Sequence, residues 1–105
     1  MIENIDSVDD FKTKISKKDK IFLVDFFATW CAPCSMMKDV IDDFLVDNPN
    51  ISVIKVDVDK FESLALEYSV SSIPAIFAIK NGRILAKQIG ACSKERLKSM
   101  VEEKC

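Results

Sequence analysis

The chain has 105 residues, a formal net charge of −2, a pI near 5.1 and no histidine. One domain spanning 1–105 fits that length, and 49% apolar residues suffice for a core without staples. The acidic balance excludes a nucleic-acid surface, no 18-residue apolar run exists to span a membrane, and the missing imidazole excludes Cys-His and Ser-His-Asp chemistry.

Residues 1–6 lack a basic segment followed by an apolar one, so no signal peptide is expected and the chain reads as cytoplasmic, with thiols reduced by default. A short strand is expected within 1–5. Ser7-Val8-Asp9-Asp10 then has the form of a helix cap with an acid three residues on, and Val8, Phe11 and Ile15 follow at helical spacing. Lys17-Lys18-Asp19-Lys20 reads as a solvated connection.

Residues 21–28 are apolar at both alternating sets of positions, which marks a central strand covered on both faces. Asp25 interrupts that run. A carboxylate there either points to solvent from an edge strand or is buried, with a raised pKa and the ability to accept a proton near neutrality. Residues 51–58 form a second such strand, interrupted by Lys55; if the two strands are neighbours, Asp25 and Lys55 can face each other.

Between them stands Trp30-Cys31-Ala32-Pro33-Cys34, followed by an amphipathic stretch over 33–46. Met37, Val40, Ile41 and Phe44 make its apolar stripe, Asp39, Asp42 and Asp43 lie opposite, and Asn48-Pro49-Asn50 stops it. A helix beginning at Cys31 would aim unpaired backbone N–H groups and the positive dipole end at its sulfur, favouring the thiolate. The three-residue step keeps Cys34 within reach, and Pro33 fits a first helical turn. Such a pair is a redox dithiol or half of a zinc site; zinc takes four ligands and no second close pair of cysteines is present, which favours the dithiol.

Asp59 followed by Glu62 suggests another capping box, with Phe61, Leu64, Ala65 and Tyr68 as the helix face. Helix and strand alternate to this point, implying parallel pairing. In Ser72-Ile73-Pro74-Ala75 a trans turn is the ordinary reading and a cis bond the rarer one. Residues 76–80 and Arg83–Ile89 flank Asn81-Gly82, a strong hairpin signal, so antiparallel strands complete a mixed sheet. The last helix starts at Ser93 and runs through Leu97, Met100 and Val101. Cys92 precedes that cap as a small apolar residue poised to pack on Leu97. Cys105 is expected to be exposed.

Taken together and in this order, Val24-Asp25-Phe26-Phe27-Ala28-Thr29, Trp30-Cys31-Ala32-Pro33-Cys34, Val56-Asp57-Val58-Asp59, Ser72-Ile73-Pro74-Ala75, Lys80-Asn81-Gly82-Arg83 and Ile89-Gly90-Ala91 resemble the thioredoxin family over essentially the whole chain. The resemblance implies an α/β fold with a central mixed sheet of four to five strands flanked by four helices. It implies a monomeric protein-disulfide reductase with a redox-active Cys31–Cys34 disulfide, Cys31 attacking and Cys34 resolving. Asp25 is the implied buried acid–base group with Lys55 as its neighbour, and Pro74 the implied cis-proline. Trp30, Ala32, Pro33, Ile73, Gly90 and Ala91 are the implied docking surface for substrate and reductase. No metal or bound cofactor is implied; NADPH would act through a flavoprotein thioredoxin reductase, and disulfide-containing proteins such as ribonucleotide reductase or peroxiredoxins would be substrates. The chain departs from the family pattern at Ala32, where glycine is common, at Ser35, where a basic residue is common, and at Asp39, where a kinking proline is common; the last implies a straighter helix. Other enzymes on this fold (an oxidase, an isomerase or a thiol peroxidase) and a binding module are the rival readings.

Overall fold

The computed structural model describes residues 1–102. Five strands form one sheet: β1 (Ile2–Asn4), β2 (Ile21–Phe27), β3 (Ser52–Asp57), β4 (Ala75–Lys80) and β5 (Arg83–Ile89). Four helices accompany them: α1 (Val8–Ile15), α2 (Ala32–Asp47), α3 (Glu62–Glu67) and α4 (Lys94–Val101). The strand order is β1-β3-β2-β4-β5. Pairing of β3 with β1 and β2 is parallel, whereas β4 runs antiparallel to β2 and β5. This is the mixed sheet that the alternating first half and the hairpin signal predict.

The two-sided apolar character of β2 has a direct structural counterpart. Phe22, Val24 and Phe26 join Phe11 of α1 and Leu64 of α3 in one core cluster, with Ile54, Val56 and Phe77 from neighbouring strands. Leu23 points to the opposite face, where it meets Met37, Ile41 and Phe44 of α2 and Leu97 and Met100 of α4. Alternate side chains leave a strand on opposite faces, so one strand builds both cores. The strand position two residues beyond Leu23 on that second face is Asp25.

Local signals place the element ends. Ser7 caps α1 by accepting a 3.0 Å hydrogen bond from the Asp10 N–H, and Asp10 Oδ2 accepts from the Asp6 N–H at 2.9 Å. Ser93 caps α4 by accepting from the Arg96 N–H at 3.1 Å. Asn81 and Gly82 take φ values of +50° and +77°, the left-handed pair that a two-residue hairpin turn needs. α2 runs without interruption through Asp39, where nothing removes a backbone donor.

The expected capping box at Asp59 and Glu62 does not form. The residue preceding α3 is Phe61, with no side-chain cap, and the Asp57 carbonyl receives the N–H groups of Lys60 and Phe61 in the preceding turn. The Asp59 carboxylate is engaged elsewhere, by Trp30. The observed strands β2 and β3 are also shorter than the apolar runs 21–28 and 51–58. Ala28 turns into the cysteine cluster and Ile51 is buried just outside the ladder.

Candidate active site

β2 delivers the chain to the C-terminal edge of the sheet, and Ala28-Thr29-Trp30 turns it into α2. The Cys31 N–H donates to the Ala28 carbonyl at 3.2 Å, which closes that turn. Cys31 is the N-cap of α2, in extended backbone conformation, and its sulfur accepts a 3.3 Å hydrogen bond from the Cys34 N–H. Pro33 sits in the first turn, where its missing N–H removes no intrahelical bond. Cys31 and Cys34 are joined as a disulfide across 5.3 Å between Cα atoms. The first turn of α2 carries no acidic side chain, so no carboxylate of the helix itself opposes negative charge on the sulfur at its N-terminus.

Both cysteines are buried, at 5% exposure each, within a small cluster with Ala28; Phe27, Val58 and Ile73 pack against it. Ile73 precedes Pro74 through a cis peptide bond. The Pro74 carbonyl accepts a 2.8 Å hydrogen bond from the Gly90 N–H, which ties the loop before β4 to the end of β5. Gly90 has φ +87°, a conformation that glycine adopts without steric cost. Around this buried pair stand exposed Trp30, Ala32, Pro33 and Ala91. The Trp30 ring is 71% exposed and held at its edge, Nε1–H donating 2.9 Å to Asp59 Oδ2.

Asp25 and Lys55 are register partners on β2 and β3, as their matching interruptions suggest. Asp25 is 1% exposed, so the edge-strand alternative does not apply, and its Oδ1 has no hydrogen-bond partner among the described residues. Burial pushes its carboxyl up to about 6, against the downward pull of the Lys55 charge. Lys55 does not close an ion pair on it. Its Nζ lies 4.4 Å from the centroid of the Phe27 ring, a cation–π contact. A carboxyl poised near neutrality can take up or release a proton at physiological pH.

A cleft of about 240 Å³ opens beside Cys34, lined by Thr29, Ser35, Lys38 and Lys55 among others. Lys38 is a site residue that reading the sequence passes over, although its spacing from Cys34, four residues along a helix, is the available signal. Ser35, in place of a cation, turns its hydroxyl back to the Cys31 carbonyl at 3.5 Å.

The two remaining cysteines lie apart from this arrangement. Cys92 is half-buried against the cluster that contains Leu97 and Met37, and its N–H donates to Met37 Sδ at 3.3 Å. Burial pushes its thiol up, opposed by Arg96. Cys105 lies outside the described residues.

The structure thus brings together residues from four separated stretches: the β2 end, the start of α2, the Pro74 loop and the Gly90 turn. The thioredoxin family model matches residues 4–103. A thioredoxin of Chlorobaculum thiosulfatiphilum is 36% identical over 95 residues, covering 90% of this chain and 88% of that one. The crystal structure of mitochondrial thioredoxin 3 from Saccharomyces cerevisiae, in its oxidised form, superimposes with a TM-score of 0.84 at 30% identity, covering 94% of this chain and 92% of the other. A structure from work on the thiol resolving mechanism in yeast mitochondrial 1-Cys peroxiredoxin via glutathione/thioredoxin systems aligns equally well, with a TM-score of 0.84 at 29% identity and the same coverage. No described helix is long and apolar enough to cross a membrane.

Proposed function

The chain belongs to the thioredoxin family and is a thiol–disulfide oxidoreductase, and from that premise we propose that it works as a reductant of protein disulfides. The observation that carries this reading is the Cys31–Cys34 pair at the N-terminus of α2, on the sheet face that buries Asp25.

In the dithiol form Cys31 is the attacking group. Its sulfur lies where the helix dipole and the Cys34 N–H favour the thiolate. It attacks one sulfur of a substrate disulfide, forms a mixed disulfide and releases the other substrate sulfur as a thiolate. Asp25 takes the proton of Cys34, directly or through a water. Cys34 then attacks Cys31 Sγ, the bond from Cys31 to substrate breaks, and the second substrate thiolate leaves. The substrate has gained two electrons and the enzyme has become the disulfide seen in the structure. Trp30, Ala32, Pro33, Ile73, Gly90 and Ala91 form the docking rim, with cis Pro74 behind it.

Recycling by a flavoprotein thioredoxin reductase drawing on NADPH completes the cycle, with no cofactor bound by this chain. Peroxiredoxins are proposed substrates, supported by the similar structure from work on thiol resolution in a yeast mitochondrial 1-Cys peroxiredoxin, and ribonucleotide reductase is proposed by family resemblance. The proposed compartment is the cytoplasm, whose reducing poise suits a dithiol reductant.

Insulin disulfide reduction tests the reading. Wild type should turn over with a dithiol donor or with NADPH and thioredoxin reductase, Cys31→Ser should be inactive, and Cys34→Ser should accumulate a mixed disulfide at Cys31. A reduction potential near the general thioredoxin figure of about −270 mV supports a reductant, and one near about −120 mV an oxidant. A stable partner complex that survives loss of both thiols, with no insulin turnover, would replace the enzyme by a binding module.

A further inference from the structure

Cys34 and Lys38 are one helical turn apart on α2 and line the same cleft, so they share a face of the helix. Residues at that spacing have Cβ atoms about 5–6 Å apart, within reach of a folded lysine side chain. Lys38 is the only basic residue of α2, which also carries Asp39, Asp42, Asp43 and Asp47. It is exposed, and none of these carboxylates, nor any other among the described residues, holds it in an ion pair.

The other charges around Cys34 have different positions. On β2, on the sheet face that α2 covers, is buried Asp25, which is paired in register with Lys55 on β3. The Lys55 ammonium is drawn over the Phe27 ring. A second cleft of about 260 Å³, which shares Phe27, Thr29 and Lys55 with the first, holds Asp57 and Lys60. The loop 72–75 brings no titratable side chain, and Ser35 brings none from α2. The cleft mouth at Cys34 is therefore flanked by two lysines and by no exposed carboxylate.

We propose that Lys38 is the cation that stabilises the Cys34 thiolate in the resolving step. The proposal rests on the reductase reading above. In that step the Cys34 proton has passed to Asp25, and the Cys34 thiolate attacks Cys31 Sγ. The Cys31–Cys34 bond forms as the Cys31–substrate bond breaks, and the electron pair of that bond leaves on the substrate sulfur. Negative charge therefore stands on Cys34 after deprotonation and before bond formation, and an ammonium in the cleft lowers the energy of that state. Because Lys38 approaches from solvent, its effect is screened by salt, whereas the buried carboxyl of Asp25 is screened much less.

The test is made on the full chain in a Cys31→Ser background, following alkylation of Cys34 by iodoacetamide against pH with peptide-resolved mass spectrometry. Lys38→Met should lower the Cys34 rate at pH 7 about three- to tenfold, by moving its midpoint upward about half to one pH unit. Lys38→Arg should retain the wild-type profile, Ser35→Lys should restore it in the Lys38→Met protein, and 1 M salt, on the order of a 3 Å screening length, should erase the wild-type advantage. The alkylation rate of Cys92 serves as an internal reference for folding. A Cys34 profile that is unchanged in Lys38→Met overturns the assignment while insulin reduction by wild type still stands. Absence of insulin reduction by wild type removes the reductase reading itself, so the two failures are distinct.

Discussion

The indole Nε1 of Trp30 donates a 2.9 Å hydrogen bond to Oδ2 of Asp59, joining the residue before the reactive cysteines to the turn that follows β3. This bond orients a ring that is otherwise 71% exposed and has little packing to hold it. Asp59→Ala should release the ring with little effect on the fold, within about 1 kcal/mol, the ordinary net worth of one hydrogen bond. Reduction of insulin should slow about two- to fivefold, read mainly in KM, because loss of orientation in the proposed docking surface costs ordering on binding. Reduction of a small aromatic disulfide should be unaffected. Trp30 is the sole tryptophan, so its fluorescence reports directly whether the ring has been released. Asp59→Asn keeps an acceptor oxygen and should behave like wild type.

Gly90 and Gly82 both have positive φ, yet they should respond differently to alanine. Neither has a heavy atom within 4 Å of an added Cβ, so the penalty at each is conformational, about 1 kcal/mol for an L-residue in the left-handed region. Gly82→Ala sits in the β4–β5 turn, away from the cysteines, and should lower stability without changing activity. Gly90 also donates to the Pro74 carbonyl at 2.8 Å, so strain there is transmitted to the loop that packs Ile73 on the cysteines. Gly90→Ala should lose comparable stability in denaturant titration and, in addition, raise KM for protein substrates.

The sequence signals that proved legible are those that act at short range. Alternation in β2 foretold its two cores because strand geometry sends Leu23 and Val24 to opposite faces. Asp25 and Lys55 could be paired because each interrupts an apolar strand, and an uncompensated buried charge needs a neighbour. Asp59 misled for the same local reason. Its spacing to Glu62 satisfies a capping pattern, but a partner 29 positions away in sequence took the carboxylate. The Gly90–Pro74 bond, the packing of Cys92 against Met37 and the cleft shared by Cys34, Lys38 and Lys55 likewise depend on tertiary contacts that no periodicity announces. The family resemblance supplied the cis bond at Pro74, for which the residues alone favoured trans.

The aromatic cluster on the α1–α3 face should dominate mutational loss of stability. Phe77 is 2% exposed, and its ring lies 5.5 Å from that of Phe26 and 5.4 Å from that of Tyr68, both near-perpendicular. Phe77→Ala removes these edge-to-face contacts and opens a cavity, so denaturant unfolding should show a loss of about 3–5 kcal/mol. Leu66 is equally apolar but 80% exposed, on the opposite side of α3 from buried Leu64. Leu66→Ala should change stability by no more than about 0.5 kcal/mol. Equal losses at the two positions would contradict the assignment of this core.

Asp25 links stability to pH in the sense opposite to a salt-bridged carboxylate. Its carboxyl is raised from the ordinary value of 3.8 to about 6 in the folded chain, first by burial, with Lys55 partly offsetting. Between those values the folded state holds a proton that the unfolded state has released, so stability falls as pH rises from about 4 to 6. Above pH 6 the penalty is complete; at 1.36 kcal/mol per pH unit it amounts to about 3 kcal/mol. Asp25→Asn removes the ionisation while conserving shape. In the oxidised form, with the disulfide held constant, this variant should exceed wild type in unfolding free energy by up to about 3 kcal/mol at pH 7–8. The difference should shrink through pH 6 and vanish below pH 4. The same substitution removes the proposed proton acceptor for Cys34, so insulin reduction near pH 7 should fall even as the protein becomes more stable. A stability difference that does not depend on pH would show that the Asp25 carboxyl is not raised, and would remove it from the proton transfer assigned to it.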